Sequence, residues 1–172
     1  MVGLKLLWAY PGCRAQWGLS KWKREQRPLT STIPTYEPTT FTAVAQPTLR
    51  ATAQEVLAQI GQTETTLVDA RDYGQYSGQV RRGEGRAGRI PGALSLPREE
   101  LIDSQTGTFR SNEELKQIFT GAGVSPNKHI VAYCNGGVAA TTVLFSLAML
   151  GYPRITNYDG SWNEWGAAKI FP

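Results

Sequence analysis

Short apolar segments alternate with helical patterns from Thr48 to the end of the chain. Four runs are apolar, brief and bounded by glycine or polar residues, as buried strands are: 66–70, 93–96, 130–133 and 155–158. Helical patterns begin near Thr52, Ser111, Val138 and Ser161. Because short apolar strands separated by helices are typical of a parallel sheet covered on both faces, the pattern predicts a three-layer α/β domain over residues 48–172.

Two of the predicted helices carry their own start signals. Thr52 stands three residues before Glu55, a capping-box spacing in which each side chain satisfies a backbone N–H of the other residue. Ser111 opens the second helix in the same way, ahead of Glu114. Between the first two strands, residues 72–88 are rich in glycine and charge and predict a surface loop.

Residues 1–47 differ in composition from the rest of the chain. Their prolines, among many threonines, are typical of an extended linker, with a short helix predicted over residues 17–24. The segment also holds six basic and two acidic residues, so it carries the whole net charge of +4. Because a nucleic-acid-binding protein needs its positive charge on the folded face that meets phosphate, this distribution argues against nucleic acid as a partner.

Several other classes are excluded by composition. The longest apolar stretch, Val138–Tyr152, is shorter than the roughly 20 residues that cross a bilayer. Two cysteines and one histidine cannot build a zinc site or a disulfide framework. We therefore expect a reduced, cytoplasmic protein with no metal, no cofactor and no membrane partner.

The candidate chemistry lies where the third strand ends. Cys134 follows that strand, and Gly136 and Gly137 then form a tight turn into an apolar helix. Glycines let backbone N–H groups converge, and the start of a helix favours an anion. Such a cradle stabilises a thiolate, which makes Cys134 a candidate nucleophile. The alternative is a small buried cysteine in the core.

Residues 66–165 resemble a rhodanese domain, and in particular the catalytic C-terminal domain of two-domain sulfurtransferases. Four motifs in the same order carry the resemblance: 67–72 (LVDARD), 88–93 (GRIPGA), 130–134 (IVAYC) and 158–165 (YDGSWNEW). Residues 17–30 are similar to the end of the N-terminal domain and the linker of those proteins. The resemblance implies that 1–47 are a tail and linker, the remnant of a lost N-terminal rhodanese domain, and that 48–172 are the catalytic domain.

The resemblance also implies persulfide chemistry. Cys134 would take a sulfur from an anionic donor, thiosulfate or 3-mercaptopyruvate, and pass it to a thiol or to cyanide. Arg71 matches an arginine that binds the anionic end of the donor, and it follows the first strand at the same edge of the sheet as Cys134. Its alternative role is to pair with a nearby carboxylate. The backbone amides expected to surround the bound sulfur belong to Asn135, Gly136, Gly137, Val138 and Ala139.

The loop departs from the usual forms of the family. Thiosulfate-type loops read Cys-Arg-Lys-Gly-Val-Thr and mercaptopyruvate-type loops read Cys-Gly-Ser-Gly-Val-Thr, whereas this chain has Cys-Asn-Gly-Gly-Val-Ala from Cys134. The preference for a donor is therefore open, with thiosulfate the weak favourite. Arg89 also stands where the family often has a histidine.

Three further interpretations complete the sequence-based prediction. A cysteine phosphatase of this fold would need an arginine six positions after the cysteine, where this chain has Ala140. A non-catalytic binding or sulfur-carrier module remains the alternative function. The surface left by the missing domain is expected to support self-association or a separate partner.

Overall fold

Four parallel strands form the centre of the fold, and all four were predicted from their apolar runs. The computed structural model describes residues 18–83 and 85–168. The strands lie in the order β2–β1–β3–β4. Their bounds are β1 (Thr65–Asp69), β2 (Leu94–Ser95), β3 (His129–Tyr133) and β4 (Ile155–Asn157).

Residues 18–83 and 85–168 also form six α-helices and two 3-10 turns. The helices are α1 (Gly18–Arg24), α2 (Ala53–Gln59), α3 (Tyr73–Ser77), α4 (Asn112–Gly121), α5 (Ala140–Met149) and α6 (Ser161–Trp165). The 3-10 turns are Pro47–Leu49 and Arg98–Leu101. Both predicted capping boxes are present, ahead of α2 and α4.

The strand positions alternate between two cores. In β1 and β3, Val68 and Ala132 face one core, which contains α4 and α5. Leu67 and Val131 face the other core, which contains α2 and α6. Because successive strand residues point to opposite faces, one run of apolar residues serves both layers. The predicted three-layer α/β fold with a parallel sheet is confirmed.

Two local predictions were wrong. Residues 72–88 are not a loop throughout, because α3 forms at their start. The side chain of Asp72 caps this helix by accepting a hydrogen bond from the backbone N–H of Gln75 at 3.0 Å. The helix after β3 begins at Ala140 and not at Val138, since the preceding residues curl as a turn.

The described part of the N-terminal segment contacts the domain near Arg24 and again near Arg50. Arg24, in the predicted short helix, donates a hydrogen bond to the carbonyl oxygen of Gln105 at 2.5 Å and another to that of Thr106. Arg50 bridges to Asn157 of β4. Residues 25–46 between these contacts are exposed. Residues 1–17, including the start of the linker-like stretch, lie outside the described residues.

No helix in the described residues is long and apolar enough to cross a bilayer.

The single histidine gives the domain a pH-dependent stability. The ring Nε2 of His129 lies 2.7 Å from Thr156 Oγ1, and burial followed by the charge of Arg154 lowers the pKa of His129 below 6.5. The unfolded chain then binds this proton more readily than the folded chain, so the stabilisation is lost as the pH falls below about 6.5. We expect the melting temperature to fall between pH 7 and pH 5.5. His129→Gln should flatten this dependence, and an unchanged slope would assign it to another group.

Candidate active site

Cys134 lies at the carboxyl edge of the sheet, directly after the central strand β3. The residue is 3% exposed, and it is a free thiol. Ala70, which follows β1, donates its backbone N–H to the carbonyl oxygen of Tyr133 at 2.9 Å. The carboxyl ends of β1 and β3 therefore meet beside the cysteine. In open parallel sheets this edge is where ligands bind.

Ser161 is the polar centre that holds the loop after Cys134. Its Oγ accepts the backbone N–H of Cys134 at 3.1 Å and that of Gly137 at 2.9 Å. The same hydroxyl donates to the carbonyl oxygen of Tyr158 at 2.7 Å, which fixes the direction of its own proton. Ser161 is fully buried and has φ +54, a conformation that L-residues rarely adopt and that concentrates at functional sites.

The next residues of α6 extend this attachment. The backbone N–H of Trp162 donates to the carbonyl oxygen of Cys134, and that of Asn163 to the carbonyl oxygen of Asn135, both at 2.9 Å. The start of α6 and the loop of residues 134–139 are therefore joined as a short ladder.

Gly137 makes the turn of the loop possible. Its φ is +77, and a Cβ built there would lie only 2.7 Å from Cα of Asp159. Gly136 differs, because its side-chain position is limited only by the amide of Asn163 at 3.3 Å and its φ is not in the left-handed region. The backbone conformation and the close contact with Asp159 therefore require glycine at position 137 but not at position 136.

Five backbone N–H groups around the turn have no hydrogen-bond acceptor in the part of the chain that the structure describes: those of Asn135, Gly136, Val138, Ala139 and Ala140. No side chain caps the start of α5. Of the amides expected to surround a bound sulfur, only that of Gly137 is already used, by Ser161. Unpaired donors at a helix start favour an anionic group.

Arg71 is buried and paired with Asp69. Its side chain is 2% exposed, with Nε 2.9 Å from Asp69 Oδ1 and Nη2 2.6 Å from Asp69 Oδ2. Burial alone would lower the pKa of Arg71, but the hydrogen bonds and charge of Asp69 outweigh it and raise the pKa, so the guanidinium stays charged. This is the alternative role that the sequence left open for Arg71. Contact with a donor anion stays a prediction.

The buried pair also holds the neighbouring loop. Nη2 of Arg71 donates to the carbonyl oxygen of Gly88 at 2.7 Å, and its guanidinium lies 4.5 Å from the ring centre of Trp162. The indole of Trp162 donates in turn to the carbonyl oxygen of Arg86 at 2.9 Å. The hydroxyl of Tyr133 accepts the backbone N–H of Ile90 at 3.1 Å. Burial raises the pKa of Tyr133 well above its ordinary value, so this phenol stays neutral.

Sequence reasoning placed Ser161 and Asp69 in motifs but gave neither a role. The left-handed φ of Ser161 has no signature in the sequence, since it depends on contacts across the loop. Asp69 was detectable as a carboxylate two residues before Arg71. Within residues 18–83 and 85–168, no three His, Cys, Asp or Glu side chains cluster as metal ligands would.

Gly137→Ala should disrupt the loop, whereas Gly136→Ala should not. A left-handed φ costs an L-residue about 1–2 kcal/mol, and the contact with the Asp159 backbone adds to this, so we expect a loss of about 2 kcal/mol or more in unfolding free energy. The rate at which iodoacetamide alkylates Cys134 should differ from that of the parent protein in the Gly137 variant only. Denaturant unfolding measures the loss of stability, and mass spectrometry measures the rate of alkylation. Equal behaviour of the two variants would contradict the steric role assigned to Gly137.

Arg71→Ala should destabilise the domain strongly. Removing one partner of a buried ion pair leaves Asp69 buried and unpaired, at a cost of about 3–5 kcal/mol. The double variant Asp69→Asn/Arg71→Met removes both charges and should recover part of that loss. Chemical denaturation of the three proteins measures it. A single variant as stable as the parent would show that the pair is not a structural anchor.

Comparison with known proteins finds relatives that include a sulfur carrier protein and sulfurtransferases. The chain is 37% identical over 161 residues to the sulfur carrier protein TtuD of Thermus thermophilus, a match that covers 87% of this chain and 56% of that protein. It is 36% identical over 160 residues to the putative thiosulfate sulfurtransferase 1 of Mycobacterium bovis, with coverage of 87% and 56%. The chain thus spans just over half the length of these relatives.

A solved structure agrees with these relatives. The 3-mercaptopyruvate sulfurtransferase SseA of Escherichia coli superposes with a TM-score of 0.72 at 34% identity, over 84% of this chain and 54% of that one. Residues 52–168 match the family model of the rhodanese-like domain, which is more than half of the chain. The parallel sheet, the cysteine at its carboxyl edge and this match together show that the chain belongs to the rhodanese-like family.

Proposed function

We propose that this domain is a sulfurtransferase and that Cys134 is its nucleophile and persulfide carrier. The observation that carries the proposal is the free thiol of Cys134 at the head of a turn in which five backbone N–H groups have no acceptor among the described residues. A thiolate, a persulfide anion and a departing oxyanion all need such donors. The relatives named sulfurtransferases support the same reaction class.

The first half-reaction loads the cysteine. With thiosulfate, the thiolate of Cys134 attacks the outer sulfur, a new S–S bond forms, and the bond to the sulfonate sulfur breaks. The electron pair of the broken bond leaves with sulfite, so charge and atoms balance. The amides of residues 135–136 and 138–140 would stabilise the anions on both sides of this step.

The second half-reaction returns the free thiolate. A thiol or cyanide attacks the outer sulfur of the persulfide, and the electron pair of the S–S bond returns to Cys134. The two half-reactions need no external oxidant or reductant. A thiol acceptor becomes a persulfide, and cyanide becomes thiocyanate.

Thiosulfate is the donor that we propose first. The loop of residues 134–139 lacks the serine of mercaptopyruvate-type loops, and it also lacks the lysine of thiosulfate-type loops. Backbone amides can bind a sulfonate without a side-chain contact. Because Arg71 is held by Asp69, we place the anionic end of the donor on the loop amides.

A sulfur-carrier module is the second candidate. It is favoured by one relative, which is named a sulfur carrier protein. A carrier would take up one sulfur and release it to one partner, whereas an enzyme would turn over with small acceptors. Repeated turnover with thiosulfate and cyanide separates the two.

The exposed N-terminal segment is proposed as a contact surface. Within residues 25–46, five large apolar side chains are exposed: Leu29, Ile33, Tyr36, Phe41 and Val44. Monomers seldom expose such a concentration, so we propose that a second copy or a separate folded partner covers it.

Incubation with thiosulfate should add the mass of one sulfur atom to the protein. We expect the addition in a Cys13→Ser background, which leaves Cys134 as the one thiol, and we expect reductant to reverse it. Intact-mass spectrometry measures it, with Cys134→Ser as the matched control. Equal uptake by the control would place the sulfur elsewhere. No uptake from thiosulfate or 3-mercaptopyruvate would favour a binding module.

A further inference from the structure

One loop of the domain carries a net positive charge, and the rest of the domain carries a net negative charge. Residues 78–89 hold four arginines and one glutamate, a net charge of +3. The remainder of residues 48–172 has eight basic and eleven acidic residues, a net charge of −3. The four side chains that make the loop basic are all exposed: Arg81, Arg82, Arg86 and Arg89. A neutral domain therefore presents one strongly positive surface.

This loop lies beside the loop of Cys134, and one residue joins them. Trp162 donates its backbone N–H to the carbonyl oxygen of Cys134 and its indole N–H to that of Arg86, both at 2.9 Å. Arg71 fastens the loop a second time, through the carbonyl oxygen of Gly88 at 2.7 Å. The positive surface is thus built into the scaffold of the site.

Apolar and aromatic side chains are exposed next to the arginines. Tyr73 is 63% exposed, and its ring contacts that of Tyr76, over which the guanidinium of Arg89 stacks at 4.5 Å. Val80 is 53% exposed and is fixed to α3 by its backbone bond to Gly74. Tyrosine and arginine together are enriched at protein–protein interfaces. We call these six side chains the basic face: Tyr73, Val80, Arg81, Arg82, Arg86 and Arg89.

The shape of the site limits how an acceptor can reach the sulfur. Cys134 is 3% exposed, while Val138 at the rim of its loop is 77% exposed. A persulfide extends the side chain by only one S–S bond, about 2 Å. A thiol set in a flat protein surface would be stopped at the rim, whereas a thiol on a protruding, extended segment can enter.

From these observations we infer that the basic face docks an acidic polypeptide that carries a thiol on an extended segment, and that this polypeptide accepts sulfur from Cys134. The inference rests on the proposed function, because it names the class of acceptor for the second half-reaction. The acceptor thiol passes its proton to the persulfide anion, its thiolate then attacks the outer sulfur, and the S–S bond to Cys134 breaks. The electron pair returns to Cys134 as a thiolate, and the proton on the outer sulfur stays with the new persulfide of the partner.

The test isolates the second half-reaction, so that donor binding does not enter. Protein in the Cys13→Ser background is loaded with persulfide, freed of donor, checked by mass and mixed with a peptide in excess. Two synthetic peptides of equal length carry one terminal cysteine followed by glutamates or by glutamines. We expect the acidic peptide to accept sulfur roughly tenfold faster or more at low salt, with the advantage shrinking as salt rises. The ratio of the rate with the acidic peptide to the rate with the glutamine peptide should fall to near one in the double variant Arg81→Glu/Arg82→Glu. In Lys116→Glu, a charge reversal on α4, the ratio should persist.

Other results overturn the inference. A ratio near one in the parent, or an undiminished ratio in the double variant, would show that the basic face does not select an acidic acceptor. A double variant that loads poorly from thiosulfate but keeps the ratio would assign the arginines to the small donor. If the parent takes up no sulfur, the proposed function fails, and fluorescence anisotropy with the cysteine-free acidic peptide still tests docking. Tighter binding of a single-stranded oligonucleotide than of that peptide would assign the face to nucleic acid.

Discussion

The buried pair of Asp69 and Arg71 is the contact on which the geometry of the site depends. One guanidinium binds the carboxylate, the carbonyl oxygen of Gly88 and the face of Trp162. These three partners belong to the first strand, the arginine-rich loop and the last helix, so elements distant in sequence meet at one charged group. A lysine could not replace it, because a single ammonium cannot form the two parallel bonds and also stack on a ring. Arg71 therefore has a structural role in this framework, and its contact with a donor anion stays a prediction.

Above this framework, the loop of Cys134 is shaped by one hydroxyl and one missing side chain. Ser161 collects two backbone N–H groups, and Gly137 comes so close to Asp159 that no Cβ fits between them. The remaining amides of the turn have no partner among the residues that the structure describes. Catalytic use of such donors requires that they be held in place before the charge develops, and the ladder between the loop and α6 provides that rigidity. The strained backbone of Ser161 is stabilised by the same hydrogen bonds that it organises.

Much of this architecture could be read from the sequence, because it depends on local patterns. The apolar runs predicted all four strands, and the spacing of Thr52 and Glu55 predicted how α2 begins. The cysteine at the end of β3 was also visible. What could not be read depends on contacts between distant segments: the helix at Tyr73–Ser77 was hidden by its glycine and polar residues, and the left-handed Ser161 has no local signal. The pairing of Arg71 with Asp69 was one of two roles that the sequence allowed, and its formation depends on the burial of both charges together.

The segment of residues 25–46 is held at both ends, by Arg24 on the turn at Gln105 and by Arg50 on β4. An anchored segment behaves as a closed loop and not as a free tail, so much of the entropy of confining it is already lost in the unbound protein. A ligand that orders such a loop therefore meets a smaller entropic cost than one that orders a free chain of the same length. The loop also stays within a fixed radius of the domain, so anything bound to it is present there at a high effective concentration. Removing the contact of Arg24 would loosen one of these two anchors and weaken such binding without altering any residue that makes it.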